Sequence, residues 1–78
     1  MQLEIITPDK TLFEGEVKSA VFPGTEGSFG VLDGHAPMIA TLKGGKIELT
    51  GSANNKMSFP ITGGVVEILK NKVVVLAG

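Results

Sequence analysis

The sequence predicts an all-β domain with essentially no helix, and three observations carry that prediction. Apolar residues recur at every second position through most of the 78 residues, as expected where side chains alternate between the two faces of a strand. Turn-forming residues punctuate the chain roughly every 8–12 positions, the spacing of short strands in a sandwich or barrel. No segment combines a sustained three-to-four apolar period with a capping box, so nothing signals a helix.

Taken in order, Leu3 and Ile5 alternate with Gln2 and Glu4, and Pro8-Asp9-Lys10 then marks a turn. Gly15 interrupts the next run. Beyond it, Pro23 to Pro37 packs four glycines, two prolines and the single histidine into fifteen residues. Phe29, Val31 and Leu32 embedded there argue against a flexible linker, so the stretch reads as a long, shaped surface loop, the usual carrier of function on a rigid scaffold. Gly24, Gly27, Gly30 and Gly34 are the residues expected to shape it, through positive φ or close backbone approach. Lys43-Gly44-Gly45 reads as a further turn, after which Ile47 and Leu49 alternate with Lys46, Glu48 and Thr50. Gly51 to Asn55 is the next turn. Met57, Phe59 and Ile61 follow in alternation, and Pro60, which cannot donate to a ladder, places Lys56 to Thr62 on an edge or at a bulge. After Gly63-Gly64, Val65 to Leu69 and Val73 to Leu76 are nearly continuous apolar runs, expected to be buried strands. Asn71 between them suits a tight hairpin.

Composition narrows the functional classes. Residues 1–78 are read as one domain, without repeat, low-complexity tract or linker. A chain of this size buries a little over ~60% of its unfolded surface. At ~0.05–0.15 kcal/mol per residue its net stability is of order 4–12 kcal/mol. There is no cysteine, so disulfides and thiolate metal sites cannot reinforce the core. Seven basic against eight acidic residues give no field for nucleic acid; the lysine pairs Lys43/Lys46 and Lys70/Lys72 read as solvated hairpin ends. No apolar segment approaches the ~20 residues of a membrane-spanning helix, and Met1 opens without a basic-then-apolar leader. A soluble domain of a reducing compartment is the expectation.

Candidate chemistry is sparse. His35 has only Asp33 as an obvious co-ligand, short of the three or four that zinc takes; it reads as a loop histidine bonded to backbone or to a partner. Ser28, Asp33 and His35 invite a triad reading, but the nucleophile elbow needs Gly-x-Ser-x-Gly on a strand-to-helix turn, and here Gly27 directly precedes Ser28 with no helix after it. The Gly24–Gly30 run lacks the Gly-Lys-Ser/Thr ending of a phosphate loop, and Glu26 would repel phosphate. Asp9-Lys10 is weakly similar to the lysine-bearing hairpin tip of lipoyl carrier domains, but turn lysines are common and a solvated one is the better reading. Phe29, Leu32 and Met38 are the stronger clue. They serve either as plugs for the domain's own core or as anchors for a protein partner, and composition leaves both open.

The segment Pro23-Gly24-Thr25-Glu26-Gly27-Ser28-Phe29-Gly30-Val31-Leu32, followed by Gly34-His35-Ala36-Pro37, resembles the signature loop of the epsilon subunit of F-type ATP synthases. A second match follows in Gly63-Gly64-Val65-Val66-Glu67-Ile68 and Asn71-Lys72-Val73-Val74-Val75-Leu76-Ala77. Leu3 to Pro8 and Leu12 to Val17 are similar to that family's N-terminal strands, so the resemblance is collinear over the whole chain. It implies a flattened β-sandwich of about ten short strands at the foot of the rotor's central stalk, with the gamma subunit and the c ring as partners. It further implies a non-catalytic coupling element with no cofactor, metal or small-molecule ligand, peripheral to an energy-coupling membrane on its cytoplasmic face, bacterial plasma membrane or plastid. The resemblance sets Glu26, Gly27, Ser28 and Phe29 toward the c ring and His35, Ala36, Pro37 and Met38 toward gamma. Several relatives carry an acidic residue where Ser28 stands, which leaves Glu26 as the carboxylate of this segment. The family's two-helix C-terminal hairpin, inhibitory or ATP-binding in some members, has no counterpart in these 78 residues. The alternatives are an unrelated all-β interaction module and a carrier domain modified at Lys10.

Overall fold

The computed structural model describes residues 1–78, which form six strands: β1 (Gln2–Ile6), β2 (Thr11–Gly24), β3 (Gly27–Leu32), β4 (Met38–Gly51), β5 (Lys56–Leu69) and β6 (Lys72–Ala77). No helix is present. The strands run β1-β6-β5-β4-β2 around a ring that an antiparallel β1–β2 ladder closes, and β3 hangs on the outer side of β2. Only the β1–β6 pair is parallel. Closure is possible because β2 divides its length. Thr11 to Glu16 pairs with β1, while the remainder pairs with β4 and β3.

Six strands, three of them fourteen residues long, replace the expected count of about ten. Glycines read as turns bend strands here instead of ending them. Gly15 lies within β2, Gly44-Gly45 within β4 and Gly63-Gly64 within β5. The two glycine pairs lie staggered along one ladder, with Lys43 opposite Gly63, Leu42 opposite Gly64 and Gly45 opposite Ile61. On both strands the inward side changes parity there: Leu42 then Ile47 on β4, Ile61 then Val66 on β5. Gly63 and Gly64 hold φ of 154° and 151°, values that glycine reaches without a steric penalty. On β2 the same parity change, from Val17 to Ala20, coincides with a bulge between Val17 and Ser19, where one extra residue bends the strand.

Sixteen buried apolar residues fill the interior, and no polar side chain is buried with them. Leu3 and Ile5, Ile47 and Leu49, Val66 and Ile68, and Val73 and Val75 each face inward at two-residue spacing around Phe22. The two valine-rich runs are not buried on both faces as expected. Val65, Leu69 and Leu76 point outward and are exposed, because the closed ring leaves β5 and β6 with nothing packed outside them. Pro60 does lie on an edge: Lys56 to Thr62 pairs with β4 alone, and β6 joins β5 only from Gly64 onward. Asn71 takes a φ of 64° in the two-residue β5–β6 turn, as its place in the sequence led us to expect.

Candidate functional site

Pro23 to Pro37 is chiefly a β-hairpin and not a loop. β2 runs on to Gly24, Thr25 and Glu26 form the turn, and β3 returns from Gly27 to Leu32. Phe22 and Phe29 face each other across the ladder with ring centroids 5.6 Å apart, so Phe29 anchors the hairpin to the core. Only partly buried there, it also lines the groove described below. Gly24 is required by crowding, since a Cβ there would stand 2.6 Å from the Gly27 carbonyl oxygen and 2.9 Å from the Phe29 ring. Gly27 and Gly34 take φ of 129° and 80° with open space around them. Gly30 has ordinary φ and nothing closer than 3.9 Å, so neither reason applies to it.

The hairpin tip is tied to the start of β4. The Thr25 N–H donates to the Thr41 carbonyl at 3.0 Å, and the two threonine hydroxyls lie 2.8 Å apart. Between the tip and β4 opens a groove of about 630 Å³, walled on one side by Gly24 to Phe29 and on the other by Met38 to Thr41. It joins Glu26, Gly27, Ser28 and Phe29 to Met38, residues that the resemblance divides between two partners. His35 lies elsewhere, in a shallow hollow lined also by Met1, Ile68 and Val73. Its Nδ1 sits 2.7 Å from the Ala36 carbonyl oxygen, a bond made with a proton on Nδ1. Leu32 is 65% exposed, Met38 37% and Ile39 70%.

Ile39 was not singled out in the sequence, although its neighbour Met38 was. The signal available was parity: Ala40 and Leu42 face inward, which sends Ile39 and Thr41 out. Ile39 and Thr41 stand opposite Glu67 and Val65, and Val65 stands opposite Leu76. An exposed apolar strip therefore continues from the groove across β5 to β6.

Chemical groups do not converge on a reaction centre. Ser28 lines the groove and His35 the separate hollow, while Asp33 Oδ1 is ion-paired with the Met1 amine at 2.6 Å. No three His, Cys, Asp or Glu side chains cluster. Lys10 closes the β1–β2 turn, its carbonyl accepting from the Thr7 N–H at 2.8 Å. What the site offers is shape and apolar surface beside one carboxylate, the attributes of a protein-contact surface.

Comparison with known proteins agrees in kind. Residues 1–78 match the family described as ATP synthase, delta/epsilon chain, β-sandwich domain. The ATP synthase epsilon chain of Chlorobium limicola is 45% identical over 75 residues, covering 96% of this chain and 85% of that one. That of Campylobacter jejuni is 43% identical over 77 residues, 99% of this chain but 60% of the relative. A chain in the cryo-EM structure of the Euglena gracilis mitochondrial ATP synthase OSCP/F1/c-ring superposes with a TM-score of 0.90 at 25% identity, over 96% of this chain and 48% of that one. One from the Tetrahymena thermophila central stalk/c-ring structure reaches 0.79 at 20% identity, over 99% of this chain and 62% of that one, a likeness of fold. The chain belongs to the ATP synthase delta/epsilon chain family, as its β-sandwich domain.

Proposed function

We propose that this chain is a central-stalk rotor component of an F-type ATP synthase that couples ion flow to ATP synthesis or hydrolysis without catalysing either. It packs on gamma through His35, Ala36, Pro37 and Met38, and it meets the c ring through Glu26, Gly27, Ser28 and Phe29. As one domain, with no cofactor or small-molecule ligand, it works at the cytoplasmic face of the energy-coupling membrane, held there by the complex. The collinear family match over residues 1–78 is the observation that carries this reading. The groove supports it by setting a carboxylate-bearing hairpin tip against an apolar strand edge. Titration of variants against purified gamma and against c-ring membranes tests it. Interface energy concentrates in a few anchors, so Met38→Asp, at a half-exposed position, should weaken gamma binding about tenfold or more, ~1.4 kcal/mol, and leave the fold intact. Glu26→Lys should impair c-ring association in a salt-dependent way, because exposed charges are screened. Normal gamma binding by folded Met38→Asp would remove that face from the reading; a parent chain that binds neither partner would end it.

A further inference from the structure

Thr41 sets the backbone direction at the start of β4. Its carbonyl turns away from β5 and accepts from the Thr25 N–H at 3.0 Å. In an antiparallel ladder the residues bonded to a given neighbour recur at every second position, so the Ile39 N–H and C=O also turn away from β5. The β2–β4 ladder stops at Gly24 opposite Leu42, and none of the bonds outside the ladders reaches Ile39. Its donor and acceptor are both free, on the strand that forms one wall of the groove. The other wall repeats the pattern. Pro23 stands opposite Ser28 and has no N–H, so this pair cannot exchange the two bonds of a hydrogen-bonded rung. The Ser28 N–H and C=O turn from β2 toward the side of β3 that no strand covers.

We propose that the groove receives one extended segment of a partner polypeptide, which adds to β4 as a strand at Ile39 and sets a lysine or arginine against Glu26. Strand addition takes affinity from main-chain bonds and selectivity from alternate side chains, and a free strand edge is the surface that permits it. Phe29, Met38 and Ile39 supply apolar surface for those side chains. An apolar ligand without amides would cover the same surface and leave the Ile39 groups unmatched in a drier site. The charge of the segment follows from Glu26, the one ionisable residue lining the groove. A second copy of this chain fits poorly. β3 brings no basic residue, and the Lys56–Thr62 edge of β5 brings Lys56 but is interrupted by Pro60. Strand addition here rests on the reading of the groove as a protein contact, and not on which subunit supplies the segment.

The test replaces the Ile39 amide by an ester in a chemically synthesised chain, which removes the N–H and keeps the side chain. The probes are purified gamma, c-ring membranes, and a short synthetic peptide alternating valine and threonine around a central arginine. The fold does not use this donor, so parent and ester should melt within ~4 °C of each other. In the free chain Ile39 should exchange about tenfold faster than Ala40, which faces Val66 of β5. At least one probe should slow Ile39 exchange about fivefold or more, and the ester should weaken that probe about threefold or more. Glu26→Lys should weaken it by about the same factor at low salt. An ester that melts well below the parent would show Ile39 already bonded and overturn the proposal. So would equal binding of parent and ester to every probe that slows Ile39. Unchanged binding by Glu26→Lys would overturn the basic segment. Ile39 exchange that slows as the chain alone is concentrated would put a second copy in the groove and overturn the partner strand. Gamma or c-ring binding with Ile39 exchange unchanged removes strand addition and keeps the stalk reading. Ile39 protection by the peptide, with neither gamma nor c ring bound, keeps strand addition and removes the stalk reading.

Discussion

Gly63-Gly64 and the run from Gly24 to Gly34 are two glycine-dense regions of this chain, and they use glycine for different ends. At the β4–β5 bend the need is internal. Gly64 combines a φ of 151° with a backbone so close to β6 that a Cβ would overlap the Leu76 carbonyl and sit 3.0 Å from the Ala77 Cα. In the other run Gly24 alone is buried and crowded, and the rest face outward. Gly27 and Gly34 have unusual φ but empty surroundings, so a methyl group there strains the backbone and collides with nothing. The bend makes the closed ring, whereas the hairpin decides what surface the ring presents. The sequence shows both as glycine and cannot separate steric exclusion by a distant strand from local conformation.

The comparison breaks most sharply at Gly64→Ala. Positive φ costs a side chain roughly 1–3 kcal/mol, and forcing backbone apart adds about 1–3 more. The expected loss is about 2–6 kcal/mol against a total of order 4–12, which lowers the melting temperature by ~8 °C or more. Circular dichroism melting checks it. A Gly64→Ala chain that melts within ~4 °C of the parent would show that β6 gives way and that the bend is not fixed by contact.

Gly34→Ala and Gly27→Ala come next. With φ of 80° and 129° but no neighbour within 4 Å, only the conformational cost remains, about 1–2 kcal/mol each. Thermal melting should rank both well behind Gly64→Ala. If either matched it, the separation of internal from outward-facing glycines would be lost.

The all-β class, the hairpin at Asn71 and the edge at Pro60 were legible because each follows from local chemistry: alternation, a residue that tolerates positive φ, a missing donor. The strand count was not. Gly44 and Gly63 are turn signals in isolation, and only the β4–β5 ladder, which sets Gly63 opposite Lys43 beside Gly44, turns two breaks into one bend. For the same reason Val65 and Leu76 looked like core, since exposure depends on what lies outside the sheet and not on the strand itself. At the candidate site the sequence marked Glu26 to Phe29 and Met38 separately. Their meeting in one groove, with Ile39 beside them, required the ladder that places Gly24 opposite Leu42.

The smallest effect is expected at Gly30, and it sharpens the comparison most. Gly30 lies within β3 with ordinary φ, and the nearest atoms to a Cβ are the Ala20 carbonyl oxygen at 3.9 Å and Val21 Cγ2 at 4.0 Å, both ordinary contacts. Glycine inside a strand gives up more conformational entropy on folding than alanine would. Gly30→Ala should therefore be neutral or stabilise by ~0.4–1 kcal/mol, a rise in melting temperature of up to about 8 °C. Gly24→Ala, six residues earlier, should destabilise, because its methyl group would meet the Gly27 carbonyl. A glycine that the fold does not need, on the free edge of β3, points outward for its reason. If Gly30→Ala melts at or above the parent yet binds its partners more weakly, that edge is a contact surface needing a bare backbone. If it loses neither stability nor binding, Gly30 has no role that this fold explains.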